Sequence, residues 1–358
     1  MTASRPWYAT RDMVVQALDV HPTPRLHGMI DRALGSSSTR VEEACHGLTW
    51  YPWIGTSQYD WPDSEQFTGR VLNLWSQRLT TVTSITSGGT ALAVGSYHLR
   101  PDTGPPYDQI LLDENTVPGY WQTSPTTGRE NAVTVSGLWG HSADRTSGLG
   151  ALDGAITDTD GTIVLTSVTD PVRCSPGAIL WIDGEILQVN EASWSDTGID
   201  VGVGGIGGAV SDTLLPVSAA GLTAGQVILV GAEKMLVTAV ATGSVIVDRA
   251  IHGTVIASHL AAAIVLAPWT LTVTRGVLGS TAAAHDTATP VDVHRPPALV
   301  EQATVALAIV DVQEQAAGYA HPAGTGGAQQ NMITGYGAGK LLDACVAAFA
   351  SKIRFGAI

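Results

Sequence analysis

The chain has few lysines and no long apolar run. Only three of its 358 residues are lysine, and its formal net charge is −14. A general nucleic-acid binder needs a basic surface to neutralise phosphates, so this class is excluded. No apolar run reaches the roughly 18 residues of a membrane-spanning helix, and the N-terminal residues have neither a basic nor an apolar signal region. We therefore expect neither membrane insertion nor a recognisable export signal.

Patterns for catalysis and metal binding are also scarce. The three cysteines lie far apart without a Cys-x-x-Cys pair, which favours buried free thiols. No histidines show the i, i+4 spacing of a helical metal site, and no Gly-x-Ser-x-Gly elbow occurs. The stretch 335–340 resembles a phosphate loop but lacks its first glycine and the Ser/Thr after Lys340. We predict no catalytic residues, no cofactor and no metal.

A glycosidase would need two carboxylates about 5 to 10 Å apart. The candidates in the sequence are Asp60, Asp63, Glu65, Asp311 and Glu314. Closeness in sequence alone does not indicate such a pair, so we predict that the protein is not an enzyme.

Glycine and proline are abundant, with 40 and 18 residues and no collagen period, and 44% of the residues are hydrophobic. This composition favours a packed protein with many short strands and tight turns. The strand-like pieces of the first half are 58–61, 71–74, 79–86, 91–94, 97–100, 110–113 and 132–138. The pair Gly88-Gly89 predicts a two-residue hairpin turn, and residues 142–150 are interpreted as a linker.

Helices are predicted at both ends of the chain. Thr23 and Pro24 signal a helix start, and Gly47 a helix end. The charged residues expected on its solvent face are Arg25, Arg32, Arg40, Glu42 and Glu43. A shorter helix over 10–18 precedes it. Near the other end we predict a helix from 299 to about 319, a glycine-rich loop over 320–339 and a last helix over 340–351.

An aromatic set follows the long N-terminal helix. Its members are Trp50, Tyr51, Trp53, Tyr59 and Trp61. Such residues suit a helix-to-sheet joint or a subunit interface. A carbohydrate platform is the alternative.

Two motifs each occur twice in the second half. Residues 177–189 align without gaps on 225–237, and each copy predicts a hairpin whose turn holds a glutamate, Glu185 or Glu233. Residues 248–259 match 274–285, and in both an arginine precedes a histidine by ten residues. Hydrogen bonds from His259 and His285 to their own hairpins are a simpler interpretation than metal binding.

The order of these motifs suggests one module interrupted by a copy of itself. The outer module would comprise 162–193 and 269–294, and the inner module about 213–267. A tandem pair whose first copy has lost its second half is the alternative.

The chain resembles the head-to-tail adaptor, or connector, proteins of tailed bacteriophages. The resemblance rests on 8–12, 30–33 with 41–45, 50–52 with 59–62, and 104–107 with 133–140. It covers about residues 8–145 and, less specifically, the helices from 296 onward.

The resemblance implies an α+β fold with a helical core formed by the N- and C-terminal segments. The expected parts are a helical segment 1–50, a β-rich layer 51–145, inserted repeated β-modules over 150–294, and C-terminal helices with a portal-facing tail over 295–358. The inserted modules depart from the minimal helical adaptor.

The function implied is structural: a homo-oligomeric ring, commonly of twelve copies, in the virion neck between portal and tail. Its partners would be further copies of itself, the portal protein and a stopper or tail terminator. DNA would pass through the ring without sequence-specific binding, and no membrane would be involved. Assembly would occur in the bacterial cytoplasm. The residues expected to contact the portal are Lys352, Arg354, Phe355 and Ile358. The alternative function is a virion-surface protein that binds host or carbohydrate through the β-modules.

Overall fold

The computed structural model describes residues 5–20, 23–62, 66–75, 77–115, 119–141, 145–166, 168–316 and 328–350, with the backbone alone at 146 and 328–336. Within these ranges the helices are α1 (Arg11–Leu18), α2 (Pro24–Ala44), α3 (Ala298–Ala316) and α4 (Ala328–Phe349). No helix of the described residues is long and apolar enough to cross a membrane.

The expected α+β fold with a helical core is wrong. The chain is mostly β-sheet, with 37% of residues in strands against 22% in helices, and its largest sheet has ten strands. The strands between residues 145 and 294 enclose two separate apolar cores. The helix patterns in the sequence lie in the terminal segments. The glycine-rich middle of the chain, however, forms all of the strands of the described residues and therefore most of the regular structure.

Eight strands form a β-layer after α2. Their bounds are β1 (Trp53–Tyr59), β2 (Phe67–Thr68), β3 (Val71–Asn73), β4 (Leu79–Ser87), β5 (Thr90–Ala91), β6 (Tyr97–Arg100), β7 (Gln109–Leu112) and β8 (Val133–Trp139). They make two four-stranded sheets, ordered β1-β8-β4-β5 and β2-β3-β7-β6, around one shared core. The turn Gly88-Gly89 joins β4 to β5 with positive φ at both residues, as its sequence predicts.

The remaining ten strands follow between the β-layer and α3. Their bounds are β9 (Arg145–Leu152), β10 (Thr162–Thr166), β11 (Ile179–Ile182), β12 (Glu185–Asp200), β13 (Leu214–Pro216), β14 (Val227–Val230), β15 (Glu233–Ala241), β16 (Ser244–Asp248), β17 (Ile264–Thr274) and β18 (Pro290–His294). Every pairing among them is antiparallel.

These ten strands form two closed barrels. In the first, which we name the outer barrel, pairing runs β9-β18-β11-β12-β17-β10 and returns to β9. In the second, the inner barrel, it runs β12-β17-β14-β15-β16-β13, and a bridge between Val201 and Val217 closes the ring. Each barrel encloses a separate apolar core.

Two long strands belong to both barrels. The first part of β12 and the last part of β17 lie in the outer barrel, and their other halves pair with each other in the inner barrel, where Ile199 lies opposite Val265. The chain thus leaves the outer barrel along β12, builds the inner barrel and returns along β17. This path makes the inner barrel an insertion within the outer one.

The helices pack together beside the barrels. α3 contacts α2 on one side and α4 on the other, so the two ends of the described chain meet. Arg40 of α2 donates to Asp311 of α3 across 3.0 Å. Ion pairs also link the helices to the outer barrel: Arg11 contacts Glu191 of β12, and Arg173 contacts Glu301 of α3.

Several local predictions fail. Residues 145–150 of the predicted linker begin β9, which pairs with the next strand β10 and with β18, about 140 residues further along the chain. Helix α4 starts at Ala328, inside the predicted loop, so 335–340 is helical rather than a phosphate loop. Glu42 is 2% exposed because the N-terminal segment covers it. The start of α2 is as predicted: Thr23 Oγ1 accepts from the amide of Leu26.

Candidate functional site

The outer barrel holds a buried ion pair between Glu185 and Arg275. Glu185 opens β12 directly after the turn Asp183-Gly184, and Arg275 follows the end of β17. Arg275 donates to the two carboxylate oxygens of Glu185 at 2.6 and 2.7 Å. Both side chains are almost fully buried, at 0% exposure for the glutamate and 7% for the arginine.

Further donors complete this cluster. The amides of Gly276 and Ala283 donate to the carboxylate of Glu185 at 3.1 Å each. A ring nitrogen of His285 lies 2.9 Å from the same carboxylate. The other N–H groups of Arg275 donate to backbone carbonyl oxygens, among them that of Thr157 at 2.8 Å. We name Glu185, Arg275 and His285 the outer cluster.

The inner barrel repeats this arrangement with Glu233, Arg249 and His259, the inner cluster. Arg249 donates to both carboxylate oxygens at 2.7 and 2.8 Å, and a ring nitrogen of His259 lies 2.9 Å from Glu233. The amides of Ala250 and Ala257 again donate to the carboxylate. In each cluster the arginine precedes the histidine by ten positions, and both side chains contact the same glutamate.

The hydrogen bonds keep both glutamates ionised. Burial alone would raise the pKa of each carboxyl, but hydrogen bonds from the arginine, the histidine and a backbone amide outweigh it. The pKa of Glu185 and that of Glu233 are both lowered to about 2. A buried charge with this many partners suits a structural clamp that joins the hairpin to the returning chain.

The clusters differ beside the histidine. Asp183 places a carboxylate oxygen 3.1 Å from the second ring nitrogen of His285. The residue that matches Asp183 in the inner hairpin is Gly231, so His259 has no such carboxylate there. The Asp183 side chain is 70% exposed, which limits what this contact contributes.

The predicted aromatic joint divides between two hydrophobic clusters. Trp50 and Tyr51 pack with the helices, whereas Tyr59, Trp53 and Trp61 pack in the β-layer. Trp53 stacks on Trp139 with ring centroids 5.5 Å apart. The set therefore spans the passage from helix to sheet, with Trp50 fully buried and Tyr59 4% exposed.

A buried network ties this joint to the start of the chain. The Tyr8 hydroxyl donates to Glu42 at 2.5 Å and accepts from the amide of Trp50 at 3.2 Å. Arg5 forms an ion pair with the same glutamate. Burial raises the pKa of Tyr8 and of Glu42. The joint ties the start of the chain to the end of α2 and to the residues that directly follow it.

A cavity of about 120 Å³ lies where α1, α2 and both barrels meet. Asp12, Lys234 and Trp194 are among its lining residues, and the Lys234 ammonium lies 5.5 Å from the Trp194 ring centroid. Burial raises the pKa of Asp12 and lowers that of Lys234. The cavity has room for a few water molecules.

The structure does not bring together the other sequence candidates. The predicted portal contacts Lys352, Arg354, Phe355 and Ile358 lie outside the described residues, as do Asp63 and Glu65. Asp311 forms an ion pair with Arg40. In the part of the chain that is described, no group of three or more His, Cys, Asp and Glu side chains is placed to hold a metal.

Sequence reasoning missed the convergence within each cluster. The repeats marked all six residues, but the arginines were not assigned to the glutamates. The sequence signal for these clusters is that each repeat contains a hairpin glutamate and, further along the chain, an arginine ten positions before a histidine. The glutamates also lie at the start of the second strand of each hairpin, not within its turn.

Neither protein-family models nor curated proteins nor solved structures include a match to this chain.

Proposed function

We propose that this protein is a structural adaptor that assembles between the head and the tail of a tailed bacteriophage. One observation carries the proposal: three of the segments on which the family resemblance rests, 8–12, 41–45 and 50–52, meet at the joint of Tyr8, Glu42 and Trp50. Residues chosen by sequence alone thus form one buried unit. An arrangement of this kind suits a part that holds its shape in an assembly.

The packing of the chain ends is consistent with this role. Helices α2, α3 and α4 contact one another, while the β-layer and both barrels are built from the chain between α2 and α3. The barrels can therefore decorate the assembly without interrupting the helical contacts. The buried glutamates are saturated by hydrogen bonds, which favours a structural role over catalysis.

Electron microscopy of negatively stained, purified protein tests the proposal. We expect rings of uniform size with a central opening wide enough for duplex DNA, and a native mass that is a multiple of the chain mass of 37.1 kDa. A chain that stays monomeric at every concentration, or that forms fibres, would contradict it.

Docking to the portal protein tests the tail. Removing residues 352–358 should leave the ring intact and abolish its binding to portal rings. The matched control is the double substitution Arg25→Ala and Arg32→Ala, which removes two positive charges from helix α2 instead. Portal binding that survives the truncation would refute the portal contact, while loss of rings in the untruncated protein would refute the adaptor itself.

A further inference from the structure

Exposed apolar side chains are concentrated in the inner barrel. Thirteen large apolar residues are exposed in the described chain, and eight of them lie between 203 and 264. Their exposed fractions reach 96% at Val203 and 81% at Leu260. Single exposed apolar residues need no explanation, but such a concentration is typical of an interaction surface.

The outer barrel provides an internal control for this surface. In the inner barrel Leu214 pairs with Ile246, and both side chains are exposed. At the matching register of the outer barrel Thr162 pairs with Thr272, also exposed. The same fold therefore accepts polar residues at these positions, so the apolar pair is not required for folding.

The loops show the same contrast. Leu260 follows the histidine of the inner cluster, where Asp286 follows that of the outer cluster. Two further exposed loop residues and their outer counterparts are Val255 with Thr281 and Val210 with Asp158. Each of these three loop residues has a polar counterpart, whereas Val240 and Ile264 match Ala192 and Pro290.

The two barrels also differ in net charge. Residues 201–268 carry three acidic and two basic residues, a net charge of −1. The outer barrel, over 145–200 and 269–294, carries eleven acidic and three basic residues, a net charge of −8. The whole chain has a net charge of −14. The electrostatic repulsion between two copies is therefore lowest where their inner barrels face each other.

The chain covers parts of the outer barrel but leaves the matching part of the inner barrel open. A methyl group on Gly177 would lie 2.5 Å from the Trp7 ring, whereas one on Gly225, its counterpart, would meet nothing within 4 Å. The loop after Arg275 also docks on the β-layer, where Ile54 donates its amide to the carbonyl oxygen of Leu278. Both barrels are closed, so a partner must pack against a face rather than extend a sheet.

We propose that the apolar face of the inner barrel, centred on Leu214 and Ile246, binds the same face of a second copy of this chain. Such a contact is self-complementary about a twofold axis. Its near-neutral charge keeps the repulsion between two copies of this acidic chain low. The inference does not depend on the adaptor function, because it concerns one local contact.

Crosslinking through a single introduced cysteine tests this contact. Thr238 is exposed on β15 beside Ile246, and its outer counterpart is Asn190. The native cysteines within the described residues, Cys45, Cys174 and Cys345, are buried. We expect a short bis-maleimide to join Thr238→Cys chains into covalent dimers and to leave Asn190→Cys chains at least about tenfold less crosslinked.

Substitution by the outer-barrel residues gives the second arm. Leu214→Thr with Ile246→Thr should keep the fold, because exposed threonine suits strands, and should reduce the Thr238→Cys crosslink at least about tenfold. Circular dichroism and thermal unfolding verify folding. Absence of the dimer in the Thr238→Cys chain, equal crosslinking at Asn190→Cys, or a crosslink that persists with the threonines would each overturn the proposal. A lipid or a different protein as occupant would show the first of these outcomes.

Discussion

The two barrels share their skeleton and differ at the surface. Both have six strands, a glutamate at the start of a strand, and an arginine and a histidine that close on it. Even an irregularity in pairing recurs, after Val189 in one barrel and after Val237 in the other. Their charges and exposed residues have diverged. The comparison indicates which features the fold requires and which serve contacts.

The largest effect should follow loss of either buried arginine. Arg275→Met or Arg249→Met leaves an ionised, buried glutamate without its main partner, which costs about 3 to 5 kcal/mol. Hydrogen exchange should show greater loss of protection in β9–β11 for the first variant and in β14–β16 for the second. Arg100→Met, which removes an exposed ion pair with Asp102, is the control and should cost less than about 1 kcal/mol. Equal effects of all three variants would contradict the clamp.

Acid should weaken both barrels over one range of pH. The folded chain holds the pKa of Glu185 and of Glu233 near 2, against an ordinary value of 4.5. The unfolded chain therefore binds more protons, and stability present above about pH 4.5 is lost as the pH falls towards 2. The loss is on the order of 3 kcal/mol for each cluster.

Barrel-resolved hydrogen exchange between pH 5 and about 2.5 is the measurement for this prediction. Resolution by barrel is needed because burial raises the pKa of Asp12 and Glu42, and those groups favour folding as the pH falls. Protection that is constant or that increases in both barrels would contradict the prediction.

A pair of glycines separates steric contact from backbone strain. Gly177 and Gly225 occupy matching positions with φ of +97° and +87°, so alanine should cost each about 1 to 2 kcal/mol through its backbone. Gly177→Ala must also displace the Trp7 ring, which adds about 1 to 3 kcal/mol. Urea unfolding measures both variants, and equal costs would show that Trp7 does not press on the outer barrel.

The smallest effect should come from the residue that distinguishes the clusters. Asp183→Gly converts the outer turn to the inner residue and removes the carboxylate beside His285. Because this side chain is mostly exposed, the change in unfolding free energy should stay below about 1 kcal/mol. Gly231→Asp is the reciprocal variant. A loss above about 2 kcal/mol for Asp183→Gly would make that aspartate part of the clamp.

Local signals in the sequence predicted local structure well. Thr23 caps α2, Gly88-Gly89 turns a hairpin, and the paired glutamate hairpins form where the repeats indicate. These features depend on few residues that are close together along the chain.

Features that depend on distant partners were not predictable in this way. Residues 145–152 are rich in glycine and lack a strand pattern, and they form β9 because β10 and β18 supply hydrogen bonds. Glu42 has the position of a solvent-facing residue on α2, but Tyr8 and Arg5 bury it. The balance between helix and sheet was misjudged for the same reason, since barrel closure leaves little trace in any one segment.

Excision of the inner barrel tests the nested arrangement most directly. Ser193 of β12 pairs with Thr270 of β17, so replacing residues 195–268 by Asn-Gly joins the strands through a short hairpin. We predict that the shortened chain folds cooperatively and that hydrogen exchange still protects β9–β11 and β18 around the outer cluster. Loss of that protection under conditions where the full chain is folded would contradict the central claim, that the outer barrel is a complete unit with a copy of itself inserted.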